Sequence, residues 1–130
     1  MNYLDSLYWI HERSKFGIKP GVKRMEWMLE QLNNPQHKIR GIHVGGTNGK
    51  GSTVAYLRTA LIENGYSVGT FTSPFIESFN ERISLNGVPI MNDELVQLVE
   101  QVKPVSEALE IETDLGGATE FEIITTMMFL

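Results

Sequence analysis

Ile42-His43-Val44-Gly45-Gly46-Thr47-Asn48-Gly49-Lys50-Gly51-Ser52 is the stretch on which the fold of this chain turns. A short apolar run, Ile42 to Val44, meets a glycine-rich loop. Behind the loop, Val54, Leu57, Leu61 and Ile62 repeat at helical spacing. Gly65 is placed to end that helix in a left-handed cap. Ser67 to Thr72 (SVGTFT) then reads as a second strand. Strand, glycine loop, helix and strand make a βαβ unit, whose right-handed crossover predicts a parallel sheet.

The loop has the chemistry of a polyphosphate cradle. A dense anion needs backbone N–H groups turned inward, a helix N-terminus behind them and a flexible cation. Gly46, Gly49 and Gly51 let the backbone come close. Lys50 supplies the cation, and Ser52 offers a hydroxyl to a phosphate or to Mg²⁺. The strict pattern G-x-x-x-x-G-K-[ST] is not met. Val44 stands at the first glycine, and Gly51 stands where Ser or Thr follows the lysine. The hydroxyl next to the lysine is therefore displaced by one residue, and another group must help to hold a metal.

Upstream, Tyr3, Leu4, Leu7, Tyr8 and Ile10 predict a helix over 2–12. Arg13 to Gly21 (RSKFGIKPG) is a loop broken by glycines and a proline. Val22, Met25, Leu29 and Leu32 give a second helix one apolar stripe, and Asn33-Asn34-Pro35 ends it. Downstream, Arg82 to Leu85, the turn Asn86-Gly87, and Val88-Pro89-Ile90 predict a type I′ hairpin, with Pro89 at a sheet edge. Asn92 or Asp93 caps a helix carrying Leu95, Leu98, Val99 and Val102, which Pro104 kinks or ends; 110–118 is loop. Thr119-Glu120-Phe121-Glu122 has the capping-box pattern and opens a last apolar helix to Leu130. Two parallel strands are few for a doubly wound sheet. The chain therefore reads as the N-terminal piece of a longer domain, or as a small domain completed by a partner chain.

Composition narrows the classes. The 130 residues suit one domain, and 42% apolar with 21% charged residues is ordinary globular usage. The absence of cysteine excludes disulfide scaffolds, thiolate catalysis and cysteine-built zinc sites. The N-terminus lacks the pattern of a secretory signal, and no apolar run approaches membrane-spanning length. A net charge of −5 disfavours nucleic acid as a partner. The charge is uneven: residues 1–60 carry nine Lys/Arg and four Asp/Glu, residues 61–130 two and twelve. The basic half suits an anionic ligand, or the halves are solvated faces of opposite sign. His11, His37 and His43 have no metal-ligand spacing.

These motifs resemble a known group of enzymes. GTNGKGS (Gly46–Ser52) resembles the nucleotide loop of the Mur ligase superfamily. Thr72-Ser73-Pro74-Phe75, with Asn80-Glu81-Arg82-Ile83, is similar to the second motif of folylpolyglutamate synthases and bifunctional dihydrofolate synthase/folylpolyglutamate synthases. Thr119 to Glu122 is similar to a third motif of that family, and the likeness covers the whole chain. It implies an α/β fold, a Mur-ligase-like central ATPase domain with a P-loop, a parallel sheet and flanking helices. It also implies a division into N-terminal helices (1–40), the βαβ unit with its phosphate loop (41–72), and a substrate loop, hairpin and helices (73–130). A glutamate-binding C-terminal domain would lie outside these residues.

The implied activity is ATP-dependent ligation of L-glutamate to the γ-carboxylate of folate or tetrahydrofolate, through an acyl phosphate, in the cytoplasm and as a monomer at full length. Carried over residue by residue, the resemblance puts Gly46, Thr47, Asn48, Gly49, Lys50, Gly51 and Ser52 on ATP, and makes Lys50 and Ser73 catalytic. Ser73 becomes a ligand of Mg²⁺, which answers the displaced hydroxyl. Phe75, Arg82, Thr119, Glu120, Phe121 and Glu122 fall to the folate site, and the loop around Gly17 to Pro20 aligns with its pterin side. The family's further metal ligands, a carboxylate and a histidine, would lie past residue 130, and Glu122 is not assigned in their place. The 130 residues alone are expected to bind nucleotide at most. Dihydrofolate synthase activity as well, another Mur-type amino-acid ligase, and a non-enzymatic nucleotide-binding module are the competing readings.

Overall fold

The computed structural model describes residues 1–17, 19–45, 49–72 and 78–130. They form two compact units, Met1–Arg40 with Asp93–Leu130, and Gly41–Asn92.

In the first unit, α1 spans Tyr3–Glu12. The Asn2 side chain accepts the Asp5 N–H at 2.8 Å, and the Asp5 carboxylate reaches back to the Asn2 N–H at 3.4 Å. The buried face of α1 is Ser6, Trp9 and Ile10, while Leu4 and Tyr8 are exposed. The expected apolar set was thus rotated. Trp9 carries the larger apolar surface and lies under the buried Arg13 guanidinium, 5.1 Å from it, which turns that side inward. A short 3₁₀ turn, Arg13–Phe16, follows. The second helix, α2, is Lys23–Gln31 and buries Arg24, Met28 and Leu29. Of the expected stripe only Leu29 is buried; Val22 precedes the helix and is exposed. Asn33 and Asn34 take positive φ at the end of α2, where Asn34 N–H donates to Leu29 O at 2.7 Å.

The long helix Asn92–Glu112, α4 in chain order after α3 (Lys50–Glu63) of the second unit, belongs mainly to the first. It runs through Pro104, so residues 110–112 are helical and not loop. Proline removes one backbone bond, but Leu95, Val99, Val102, Ser106 and Leu109 form one buried stripe on both sides of it. Their burial, at about 1.5–3 kcal/mol per large apolar side chain, outweighs the local loss. The last helix, α5 (Glu120–Phe129), is capped by Thr119 and buries Glu122, Ile123, Ile124, Thr126 and Met127. Both α1 and α2 pack on it, as its nearly all-round burial requires.

In the second unit, α3 spans Lys50–Glu63, with Gly49 in the left-handed region before it (φ 76°) and Gly65 likewise after it (φ 88°). No residue of α3 is fully buried, and Val54, Leu57, Leu61 and Ile62 share its half-buried side. The strands are β1 (Gly69–Phe71), β2 (Ile83–Leu85) and β3 (Val88–Pro89). They form one antiparallel sheet in the order β1-β2-β3, with Phe71 opposite Ile83 and Leu85 opposite Val88. Asn86 and Gly87, at φ 51° and 82°, make the type I′ turn that Asn-Gly specifies, and Pro89 sits on the edge strand.

The expected parallel pairing is not what the described residues form. Ile42 to Val44 is not a strand, Ile42 is exposed, and β1 pairs with β2 instead. A parallel strand of such a sheet needs neighbours along its edges and cover on its faces, and among the described residues 42–44 pairs with no strand. The turn Phe79–Arg82, capped by Ser78, is pinned by buried Asn80, whose Nδ2 donates to Ile90 O at 2.8 Å and Asn92 Oδ1 at 2.9 Å.

Candidate functional site

The second unit presents the start of α3. Its first intrahelical bond runs from Thr53 N–H to Gly49 O at 3.0 Å, so the N–H groups of Lys50, Gly51 and Ser52 precede the ladder. Among the described residues no side chain caps this end, and its first turn holds no acidic residue. The positive end of the helix dipole is left bare, and Lys50 adds a full charge to it. Gly49 needs its glycine for positive φ, and a Cβ on Gly51 would meet nothing within 4 Å. The turn therefore has both the charge and the open space for an anion. Gly46, Thr47 and Asn48, and likewise Ser73 and Phe75, lie outside the described residues.

Arg82, expected at the folate site, stands at the end of the 79–82 turn. Its guanidinium lies 5.9 Å from the Phe71 ring centre and 5.7 Å from that of Phe79. These ring faces restrict the arginine's rotamers.

The first unit holds an open cleft of about 540 Å³. Gly17, Lys19, Gly21, Val22 and Met25 form one wall, and Thr119, Phe121, Glu122 and Thr125 form the other. The structure thus brings Gly17 and Lys19 of the expected loop together with three of the four residues of the TEFE segment. Its walls are predominantly apolar, with Val22 and Phe121 exposed on opposite sides. Glu120 turns elsewhere, its Oε1 lying 2.9 Å from His11 Nδ1.

Glu122 has two roles. Its N–H donates to Thr119 Oγ1 at 3.2 Å, and its Oε1 accepts the Thr119 N–H at 2.9 Å, completing the capping box. The same carboxylate takes Arg24 Nε, at 2.9 Å to Oε1 and 3.1 Å to Oε2, and both side chains are almost fully buried. Arg24 Nη2 also donates to Lys19 O at 3.1 Å, and Lys19 Nζ donates to Gly117 O at 3.1 Å. Sequence reasoning passed over Arg24, placed Met25 only in the helix stripe, and reached Lys19 only as part of the Gly17 to Pro20 loop. One signal was available: an arginine four residues before Met28 on a stripe otherwise apolar.

Among the described residues no three His, Asp or Glu side chains stand together to hold a cation. Also among the described residues, no helix is long and apolar enough to cross a membrane.

No protein-family model matches the chain. It is 57% identical over 128 residues to the dihydrofolate synthase/folylpolyglutamate synthase of Bacillus subtilis, covering 98% of this chain and 30% of that protein. Its fold superimposes on the folylpolyglutamate synthetase from Lactobacillus casei with a TM-score of 0.92 at 39% identity, over 99% of this chain and 32% of that one. A folylpolyglutamate synthase complex with AMPPCP and folate matches with a TM-score of 0.87 at 37% identity, covering 99% and 32%. The chain spans about a third of the length of the relatives it matches. By sequence and by fold, the chain belongs to the dihydrofolate synthase/folylpolyglutamate synthase family.

Proposed function

We propose that the protein to which these residues belong is an ATP-dependent ligase that joins L-glutamate to the γ-carboxylate of a folate. One observation carries this reading. The bare, lysine-bearing N-terminus of α3 occurs in a chain whose fold matches a synthase complexed with AMPPCP and folate. We assign residues 1–130 to the N-terminal part of the ATP-binding, P-loop domain, with 41–72 as its phosphate-binding segment. On this assignment Ile42 to Val44 is a strand once parallel neighbours lie beside it.

The chemistry asks for positioning and charge neutralisation, not for a nucleophilic side chain. The N–H groups of Gly49 to Ser52, with Gly46 to Asn48, hold the phosphates, and Lys50 neutralises the outer ones. A γ-carboxylate oxygen of the folate bonds to the terminal phosphorus, and the bond from that phosphorus to the bridging oxygen breaks, releasing ADP. The glutamate amine then attacks the acyl carbon. A C–N bond forms, the C–O bond to phosphate breaks, and the amine gives up its proton to solvent. Mg²⁺ supplies charge neutralisation when bound, and Ser73 is the residue we assign to it. Arg82 and Phe75 are assigned to the folate, the first to a carboxylate and the second to a ring. The cleft of Thr119, Phe121 and Glu122 is assigned to the heterocycle.

A second reading, that dihydropteroate is also an acceptor, is favoured by the higher identity to the bifunctional Bacillus subtilis protein, 57% against 39% for the Lactobacillus casei synthetase. The test of the main reading is isotopic. With ¹⁸O in the γ-carboxylate, the released phosphate should carry one ¹⁸O per bond formed. Phosphate free of ¹⁸O, or ATP turnover indifferent to glutamate, would refute it.

A further inference from the structure

We propose that Arg24 is a positioning residue for the cleft: it sets the distance between the two walls, so that acceptor binding depends on it while phosphoryl transfer does not. This rests on the reading of the cleft as the acceptor's heterocycle site.

The walls come from segments far apart in sequence. One is the loop that ends in α2, and the other is the capped start of α5. Arg24 joins them directly. Its Nε holds both oxygens of Glu122, at 2.9 and 3.1 Å, while Nη2 holds the carbonyl of Lys19 at 3.1 Å. Lys19 closes the circuit from the opposite side, donating to Gly117 O at 3.1 Å. Lys19 and Glu122 both line the cleft, and the arginine that joins them is itself buried. The geometry needs a fork: one donor atom straddles the carboxylate while a second reaches a different strand of backbone. A lysine ammonium at the same position carries the charge but cannot span both acceptors in one plane. The bonds also leave Glu122 little freedom. Oε1 already accepts from Arg24 and from the Thr119 N–H, which leaves Oε2 as the carboxylate atom with capacity for a ligand N–H. Without Arg24 the carboxylate would turn toward water, and the two walls would lose their common tie.

The test compares wild type, Arg24→Gln and Arg24→Lys in the full protein, with dihydropteroate and tetrahydrofolate as acceptors. Acceptor KM should rise about tenfold to a hundredfold in both variants, the scale of a misplacement near 1 Å. The KM for ATP and kcat at saturating acceptor should stay within about twofold of wild type. Arg24→Lys should recover thermal stability relative to Arg24→Gln without recovering acceptor KM, a split that a purely structural role would not give. If Arg24→Gln does not fold, Arg24→Lys decides alone. An unchanged acceptor KM, or a parallel loss in kcat and both KM values, would overturn the inference. Dihydropteroate and tetrahydrofolate binding by equilibrium dialysis separates the two failures. A wild type that binds and turns over while the variants bind equally sinks only this inference. A wild type that binds neither acceptor sinks the function with it.

Discussion

Gly117 offers a sharp test of how the first unit is packed. A Cβ built there would lie 2.7 Å from Phe16 Cε2 and nearer still to Cζ and Cε1. Reaching ordinary contact at 3.4 Å would require the ring to retreat by about 1.2 Å, because Cζ approaches closest. The ring cannot do so without loss, because the cations of Arg13, Lys15 and Lys19 lie 5.5, 5.3 and 4.9 Å from its centre. Overpacking of this kind costs about 1–3 kcal/mol. Partial loss of the cation–π contacts adds about 0.5–1 kcal/mol. Gly117→Ala is therefore expected to destabilise the unit by about 1.5–4 kcal/mol. Both tryptophans, Trp9 and Trp27, lie in this unit, so urea unfolding followed by fluorescence reports on it directly. Phe16→Ala removes the obstacle, and the double mutant should recover about 1–2 kcal/mol of the summed single losses. A Gly117→Ala change within about 0.5 kcal/mol of wild type, or strict additivity in the cycle, would refute the packing described.

Other expectations follow from the same geometry. Thr119→Val keeps the side-chain shape but removes the acceptor for the Glu122 N–H, and should cost about 1 kcal/mol, read by the same unfolding measurement. Asn80→Ala leaves the part-buried Ile90 carbonyl without this donor and should cost about 1–2 kcal/mol; near-wild-type amide exchange in the 83–90 hairpin would contradict this. Gly87→Ala forces a side chain to φ 82° with the Arg58 guanidinium 3.5 Å away, and should cost about 1–2 kcal/mol. Arg58→Ala should not restore that loss, because the strain is in the backbone.

What the sequence made legible was local chemistry. Asn86-Gly87 specifies its own turn, Gly65 its own helix end, and Thr119 with Glu122 a capping box, because each depends on residues at most three apart. The facing of α1 was not legible, since Leu4, Tyr8, Trp9 and Ile10 allow more than one apolar side and only packing on α5 chooses. Pro104 does not end the helix for a similar reason: the cost of proline is local, while the stripe that overrides it runs from Leu95 to Leu109. The candidate site divides in the same way. The α3 N-terminus and the TEFE segment could be read from their motifs. The Arg24–Glu122 pair joins residues 98 apart in sequence, and no local pattern announces it.

The central claim is glutamate ligation driven by ATP. Its most direct test is incorporation of labelled L-glutamate by the full protein, with ATP, Mg²⁺ and either tetrahydrofolate or dihydropteroate. The account predicts incorporation on tetrahydrofolate at least, lost almost entirely in Lys50→Ala because the outer phosphates lose their counter-charge. Incorporation on neither acceptor while ATP still binds, or half the wild-type rate surviving in Lys50→Ala, would contradict it.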